Sequence, residues 1–280
     1  MNVTFSHAKR LGSCSLLVLF SATLALSGCD KLKARDLLNK GVQAYKEGQT
    51  DQAIEDFKQS VALDPTLTNA KIFLAAAYQG QYIPGAPSAQ NVRNADQAIA
   101  EYKDVLSGDA NNVRAIDGIG SLLFAMGSNA QPFNADQLSE SKTYHEKHIQ
   151  IKPDDPEPYY WVGVIDWTMA WHSNQAMRAD YNRAHPTKQI HDIDPLPANL
   201  RDDLSSKYSA TVQDGVDHIK KAMELRPDYD DAMAYLSLLY RQQGDMAANN
   251  DQRDALTKQA DDLMQQVKQI KQRKGTATGD

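Results

Sequence analysis

TDQAIEDFKQSVALDP (residues 50–65) and ADQAIAEYKDVLSGDA (residues 95–110) repeat one pattern within a 280-residue chain. Each sets an alanine (Ala53, Ala98) four residues before an aromatic (Phe57, Tyr102), and apolar residues return every three or four positions. That spacing is the signature of an amphipathic helix. The fixed small residue allows a neighbouring helix to approach closely. Pro65 ends the first copy, because proline has no amide hydrogen to donate and clashes with the preceding turn.

Outward from this pair, residues 37–65 carry Leu37, Gly41, Tyr45, Gly48, Ala53, Phe57 and Pro65 at spacings that resemble the tetratricopeptide repeat (TPR), a helix–turn–helix unit of about 34 residues. A second unit has Leu74, Ala75, Tyr78, Ala98, Tyr102 and Leu106, split by a Gly/Pro/Ser/Asn-rich insertion near 81–95. A third runs from Ile116 through Ile119, Gly120 and Leu123 to Pro153, and a fourth opens with Pro156, Pro158, Tyr159, Val162 and Gly163. The fourth unit is interrupted by residues 173–196 before Leu204, Tyr208, Val212, Val216, Ile219 and Met223 complete it. Met233, Leu236 and Tyr240 start a fifth, and Leu256, Ala260, Leu263, Val267 and Ile270 mark a charged last helix suited to the polar end of an array. The expected fold is all-α: a right-handed TPR-type helical-hairpin solenoid of about four to five repeats over 34–273, with a C-terminal capping helix and a disordered tail at 274–280. Lys40, Ala110 and Asp166 depart from the repeat's usual residues.

Residues 1–28 read as an export signal outside the fold. Lys9 and Arg10 precede LLVLFSATLAL, an apolar run too short for a comfortable membrane span. The run ends in Leu26-Ser27-Gly28-Cys29, which resembles the lipobox of bacterial lipoproteins. The resemblance implies cleavage before Cys29 and acylation of its sulfur. A plain thiol after a simple signal cut and an uncleaved anchor are the competing readings. The only other cysteine, Cys14, falls in the part to be removed, so the mature chain has no internal disulfide. Two acyl chains hold a protein on a bilayer where one is marginal. The expected place is therefore the bacterial cell envelope, lipid-anchored and periplasm-facing, with residues 29–33 as tether and the choice between inner and outer membrane open.

The formal net charge of −6 becomes more negative once Lys9 and Arg10 are removed. A chain with no basic face lacks what phosphate binding requires, so no nucleic-acid partner is expected.

All three tryptophans lie in YYWVGVIDWTMAWH, residues 159–172. With Gly163 facing the paired helix, Tyr160, Val164, Trp167 and Trp171 form a separate stripe at steps of four, three and four. In TPR proteins that direction faces the concave groove that takes peptide segments, and Tyr45, Ile72, Phe124, Tyr235 and Leu238 occupy corresponding positions. The resemblance thus implies a non-enzymatic scaffold that binds a segment of another envelope protein. The competing reading has the 173–196 insertion fold back over Trp167 and Trp171 and make them core. Self-association through the stripe is a third. A chaperone-type carboxylate clamp would need more than Arg114, Asn69 and Lys46.

His145 and His148 share one helical face, a spacing that suits metal ligation, and Asp166 could join them. Register favours packing, since both occupy positions where second helices carry a packing residue, so buried hydrogen-bonded histidines partnered by Asp166 are the expected account and a metal-dependent enzyme built on His145, His148 and Asp166 is the rival. The chain has no HExxH motif, nucleophile elbow or Gly-rich phosphate loop, and no cofactor is expected. His172, His185 and His191 fall in or beside the long insertion. The acidic pairs such as Asp154-Asp155 and Asp230-Asp231 sit at helix starts, where carboxylates complement the dipole, and the basic KQIKQRK run closes a helix for the same reason.

Overall fold

The computed structural model describes residues 14–277, with side chains from 29 to 275. Among the described residues there are ten helices and no strand: α1 (Cys14–Lys46), α2 (Thr50–Leu63), α3 (Thr68–Gln81), α4 (Ala89–Gly108), α5 (Val113–Ser128), α6 (Ala135–Ile151), α7 (Pro156–Ala184), α8 (Ala198–Leu225), α9 (Asp230–Asp245) and α10 (Asn250–Ala277). Helices pack most extensively in the pairs α1 with α2, α3 with α4, α5 with α6, α7 with α8 and α9 with α10. The chain is thus a series of helical hairpins, in two contact units: α1–α4, and α5–α10 together with Pro84–Pro87.

In the first unit the repeat's small residues meet its aromatics. A Cβ on Gly41 would stand 2.5 Å from the Phe57 ring, so α1 and α2 touch backbone to ring. Phe57 stacks on Phe73 at 5.8 Å, carrying the contact from α2 to α3. Ala53, Ala75 and Ala98 are fully buried at the close contacts. The Ser60 hydroxyl donates to the Ala34 carbonyl at 2.7 Å, and Ala34 is the first buried residue after the exposed stretch 29–33.

The second unit holds the larger core, built from Val212, Val216, Ile219, Leu236, Leu239, Leu263 and Val267 on α8, α9 and α10, with Ala170 of α7. Gly163 is where α7 and α8 come closest: a Cβ there would collide with the Ile219 side chain and stand 3.1 Å from the Gly215 carbonyl oxygen. Asn112, Asn134 and Asp155 cap α5, α6 and α7 by accepting from backbone amides in the first turn. Pro156 occupies a first-turn position of α7, where its missing amide hydrogen costs nothing. α10 completes the fifth hairpin, burying Ala260, Leu263, Val267 and Ile270 and turning its charged residues outward.

The insertions take a different form from loops. α7 runs on to Ala184 and α8 starts at Ala198, so the fourth hairpin is lengthened to helices of 29 and 28 residues against 16 and 17 in the third. Only residues 185–197 lie outside helix. Likewise α4 begins at Ala89, leaving 82–88 as the connection in the second hairpin. The helix of α10 extends to Ala277, and residues 278–280 lie outside the described part.

A candidate aromatic docking face

Tyr160 begins the site. It sits near the start of α7, where the stripe of long side chains points away from the Gly163 contact. Its ring lies 5.6 Å from Tyr235 of α9 and 5.5 Å from its neighbour Trp161, both edge-on. Tyr235 meets Trp167 at 5.5 Å, and Trp167 stacks on Trp171 at 5.5 Å. From Trp171 the series passes edge-on to His172 at 4.9 Å, and His172 stacks on Phe133 of the α5–α6 connection at 4.0 Å. At the other end Trp161 meets Phe124 of α5 at 5.5 Å. The rings form one unbroken series across α5, α7 and α9, and every one of them is partly exposed. Edge-to-face and offset contacts at these separations are the favourable arrangements for aromatic quadrupoles.

Tyr160, Trp167 and Tyr235 also pack against the core beneath, so they are fixed in place while part of each stays exposed. Burial raises the hydroxyl pKa of Tyr160 and Tyr235, so both stay neutral donors. Burial likewise lowers His172, keeping the ring that stacks on Phe133 uncharged near neutrality.

The sequence-derived positions divide. Tyr160, Trp167, Trp171, Tyr235 and Phe124 meet in this face, and Leu238 lies half-buried on α9 one turn beyond Tyr235. Val164 is only 1% exposed and offers no surface. A short β-branched chain does not reach past the long rings one turn to either side of it. Ile72, at 4% exposed, is likewise core, on a helix packed by α1, α2 and α4. Tyr45, 40% exposed, belongs with Ile72 to the first unit. Periodicity missed Trp161, His172 and Phe133. Trp161 falls between the two stripes that a four-position helical grid distinguishes, and Phe133 lies in a connection, where no period exists.

Trp167 and Trp171 stay partly exposed. The connection after α7 bonds to the far end of that helix: Arg178 donates to the carbonyls of His191 at 2.6 Å and Asp194 at 3.1 Å, and Asn182 exchanges two bonds with Ile190. Arg178 is itself buried, held by Asn174 at 2.9 Å and by Asp245 of α9 at 3.3 Å.

The histidines are placed apart from Asp166. His148 bonds Asp117 through Nδ1 at 2.8 Å. His145 is buried beside Gly120 and stacks on Trp161 at 5.8 Å, with neither ring nitrogen hydrogen-bonded. Burial and the neighbouring His148 push it down to about 4. Asp166 is fully buried and gripped by Lys142 at 2.7 and 2.9 Å, and Lys142 also reaches Asp214 at 2.6 Å. Burial pushes Asp166 up to about 7 against the pull of that ammonium group. The trio that could have ligated a metal is therefore split between a packing cluster and an ion pair, and no cluster of three or more His, Cys, Asp or Glu ligands occurs among the described residues.

No family model matches the chain, and no curated protein matches it. Solved structures do. A crystal structure of MamA is similar over 87% of this chain and 94% of its own, with a TM-score of 0.56 at 14% identity. A MamA fragment from Desulfovibrio magneticus RS-1 is similar over 85% and 96%, with a TM-score of 0.53 at 13% identity. YrrB, described as a TPR protein with an unusual peptide-binding site, is similar over 84% and 90%, with a TM-score of 0.49 at 10% identity. At these identities the MamA likeness is one of fold: a TPR-like array of helical hairpins.

Proposed function

We propose that this protein is a non-enzymatic scaffold, anchored by acyl chains on Cys29 at the periplasmic side of a bacterial membrane, that docks a segment of another envelope protein on the aromatic face of α5, α7 and α9. The observation that carries the reading is the unbroken, partly exposed series of rings from Phe124 to Phe133. A polar chain with mean hydropathy −0.56 has little reason to keep such a surface without a partner. Rigid aromatics bury much area while few torsions are frozen, which is why they dominate binding hot spots. The anchor is supported by the lipobox-like run and by Cys29, whose side chain is exposed.

Trp167→Ala tests the docking reading. Truncating an interface aromatic costs on the order of 2 kcal/mol or more of binding, about a thirtyfold loss of affinity, whereas truncating a core tryptophan costs about 3–5 kcal/mol of stability. The expected result is weaker crosslinking of a partner in the native envelope with a modest fall in melting temperature. Unchanged crosslinking, with a melting loss of core size, would assign Trp167 to the core alone.

A further inference from the structure

On α9 Asp231 precedes Tyr235 by four residues, so the exposed carboxylate and the ring share one side of the helix. The inner edge of the face already holds a cation in a defined way. The Arg226 guanidinium lies 4.3 Å over the Tyr229 ring, with Nη1 2.7 Å from Glu157. The Tyr229 hydroxyl donates to the same carboxylate at 2.8 Å, and the Tyr229 ring is 5.1 Å from Tyr160. One carboxylate behind one tyrosine face thus seats one guanidinium, the geometry of a cation–π contact reinforced by an ion pair.

Asp231, one helical turn before Tyr235, offers the same chemistry at the exposed start of α9. Asp231 is exposed, and among the described residues its carboxylate forms no ion pair. Lys274, whose charge feels Asp231, is held by Asp230 at 2.7 Å and by the Asp228 carbonyl at 3.0 Å. An acidic segment or an anionic lipid surface approaching the rings would meet Asp231 with like charge, which disfavours both.

We propose that the occupant of this face is a cationic, apolar segment of a partner protein, whose lysine or arginine side chains lie over Tyr160 and Tyr235 against Asp231 while its apolar side chains rest on Trp167. This rests on the docking reading above and adds to it the sign of the partner's charge. Because the carboxylate is at the rim, its attraction acts through solvent, steers approach and weakens as salt rises.

The test uses the full chain in a neutral detergent and three labelled peptides of equal length with identical leucines, spaced by lysine, glutamine or glutamate. Fluorescence anisotropy is read at low and high salt. The lysine peptide is expected to bind at least about tenfold more tightly than the glutamine peptide, to weaken with salt, and to fall to the glutamine level in Asp231→Lys. The glutamate peptide is expected not to bind. Asp231→Asn removes only the charge, and keeps the comparison valid if a lysine at the start of α9 opposes the helix dipole and lowers stability. If the glutamine peptide binds as tightly as the lysine peptide, or if neither Asp231 variant changes affinity, the charge preference is overturned while docking on the rings stands. If no peptide binds and the parent behaves as Trp167→Ala does, the docking reading fails and takes this inference with it.

Discussion

His145 is a base held neutral, buried against Gly120 and the Trp161 ring with both nitrogens lacking hydrogen-bond partners. Its folded pKa of about 4 lies below the ordinary value of 6.5. The unfolded chain therefore binds a proton that the folded chain refuses. The stability contributed by the neutral ring is complete above 6.5 and is lost as pH falls from there toward 4, for a total of about 3 kcal/mol. His145→Leu removes this term and leaves no polar atom unmet, so its melting temperature is expected to fall less than the parent's between pH 7 and pH 4.5. An identical acid slope in parent and variant would show that His145 is not the group refusing the proton. That both histidines would be packing residues was legible from their register. Their partner was not: Asp117 comes from the preceding helix, α5, while Asp166 is committed to Lys142.

At the scale of elements, the hairpins were legible and the lengths of the fourth one were not. Gly41, Ala53, Ala98 and Gly163 announce close helix contacts because only small residues permit them. The segment after Trp171 reads as a loop because Asn, His, Asp and Pro dominate its composition. Its helical half is set by tertiary contacts: Asn174 and Arg178 continue the α7 stripe with polar side chains that meet Asp245 and Gln242 of α9. A hydrophobicity pattern cannot reveal a polar seam of this kind. Arg178 closes it, joining α7 to α9 and to the 191–194 carbonyls. In Arg178→Met the carboxylate of Asp245, already pushed up by burial, loses its cation, and two loop carbonyls lose their donor. Removing one partner of a buried pair costs roughly 3 kcal/mol or more. The expected signature is a lower melting temperature together with faster amide exchange across 185–197 and the last two turns of α7. Exchange that quickens only in the loop, with melting unchanged, would mean that the seam is held by Asn174 without the arginine.

For the whole molecule, the sequence pattern gives the array and the stripe, while the aromatic face is a property of three helices and one connection together. Five of its rings, Tyr160, Trp161, Trp167, Trp171 and His172, are close in sequence. Phe124, Phe133 and Tyr235 join them only through folding. Where such a body works depends on its start. No helix among the described residues is long and apolar enough to cross a membrane; in the proposed reading, acyl chains on Cys29 are what hold the mature chain there. The stretch 29–33 is exposed and Ala34 is the first buried residue, which leaves the sulfur free of the core that α1 builds with α2. Replacing Cys29 therefore leaves the packing intact and removes only the chemistry. A thioether needs a thiol, and on the proposed cleavage before Cys29 the other cysteine, Cys14, is removed, so no residue of the mature chain could substitute. Cys29→Ala is expected either to release a folded body into the soluble fraction or to accumulate as the longer unprocessed precursor. Metabolic labelling with a fatty acid should mark the parent and not the variant. A variant that is cut to mature size and still partitions with membranes into detergent would show that something other than acyl chains on Cys29 holds the protein there.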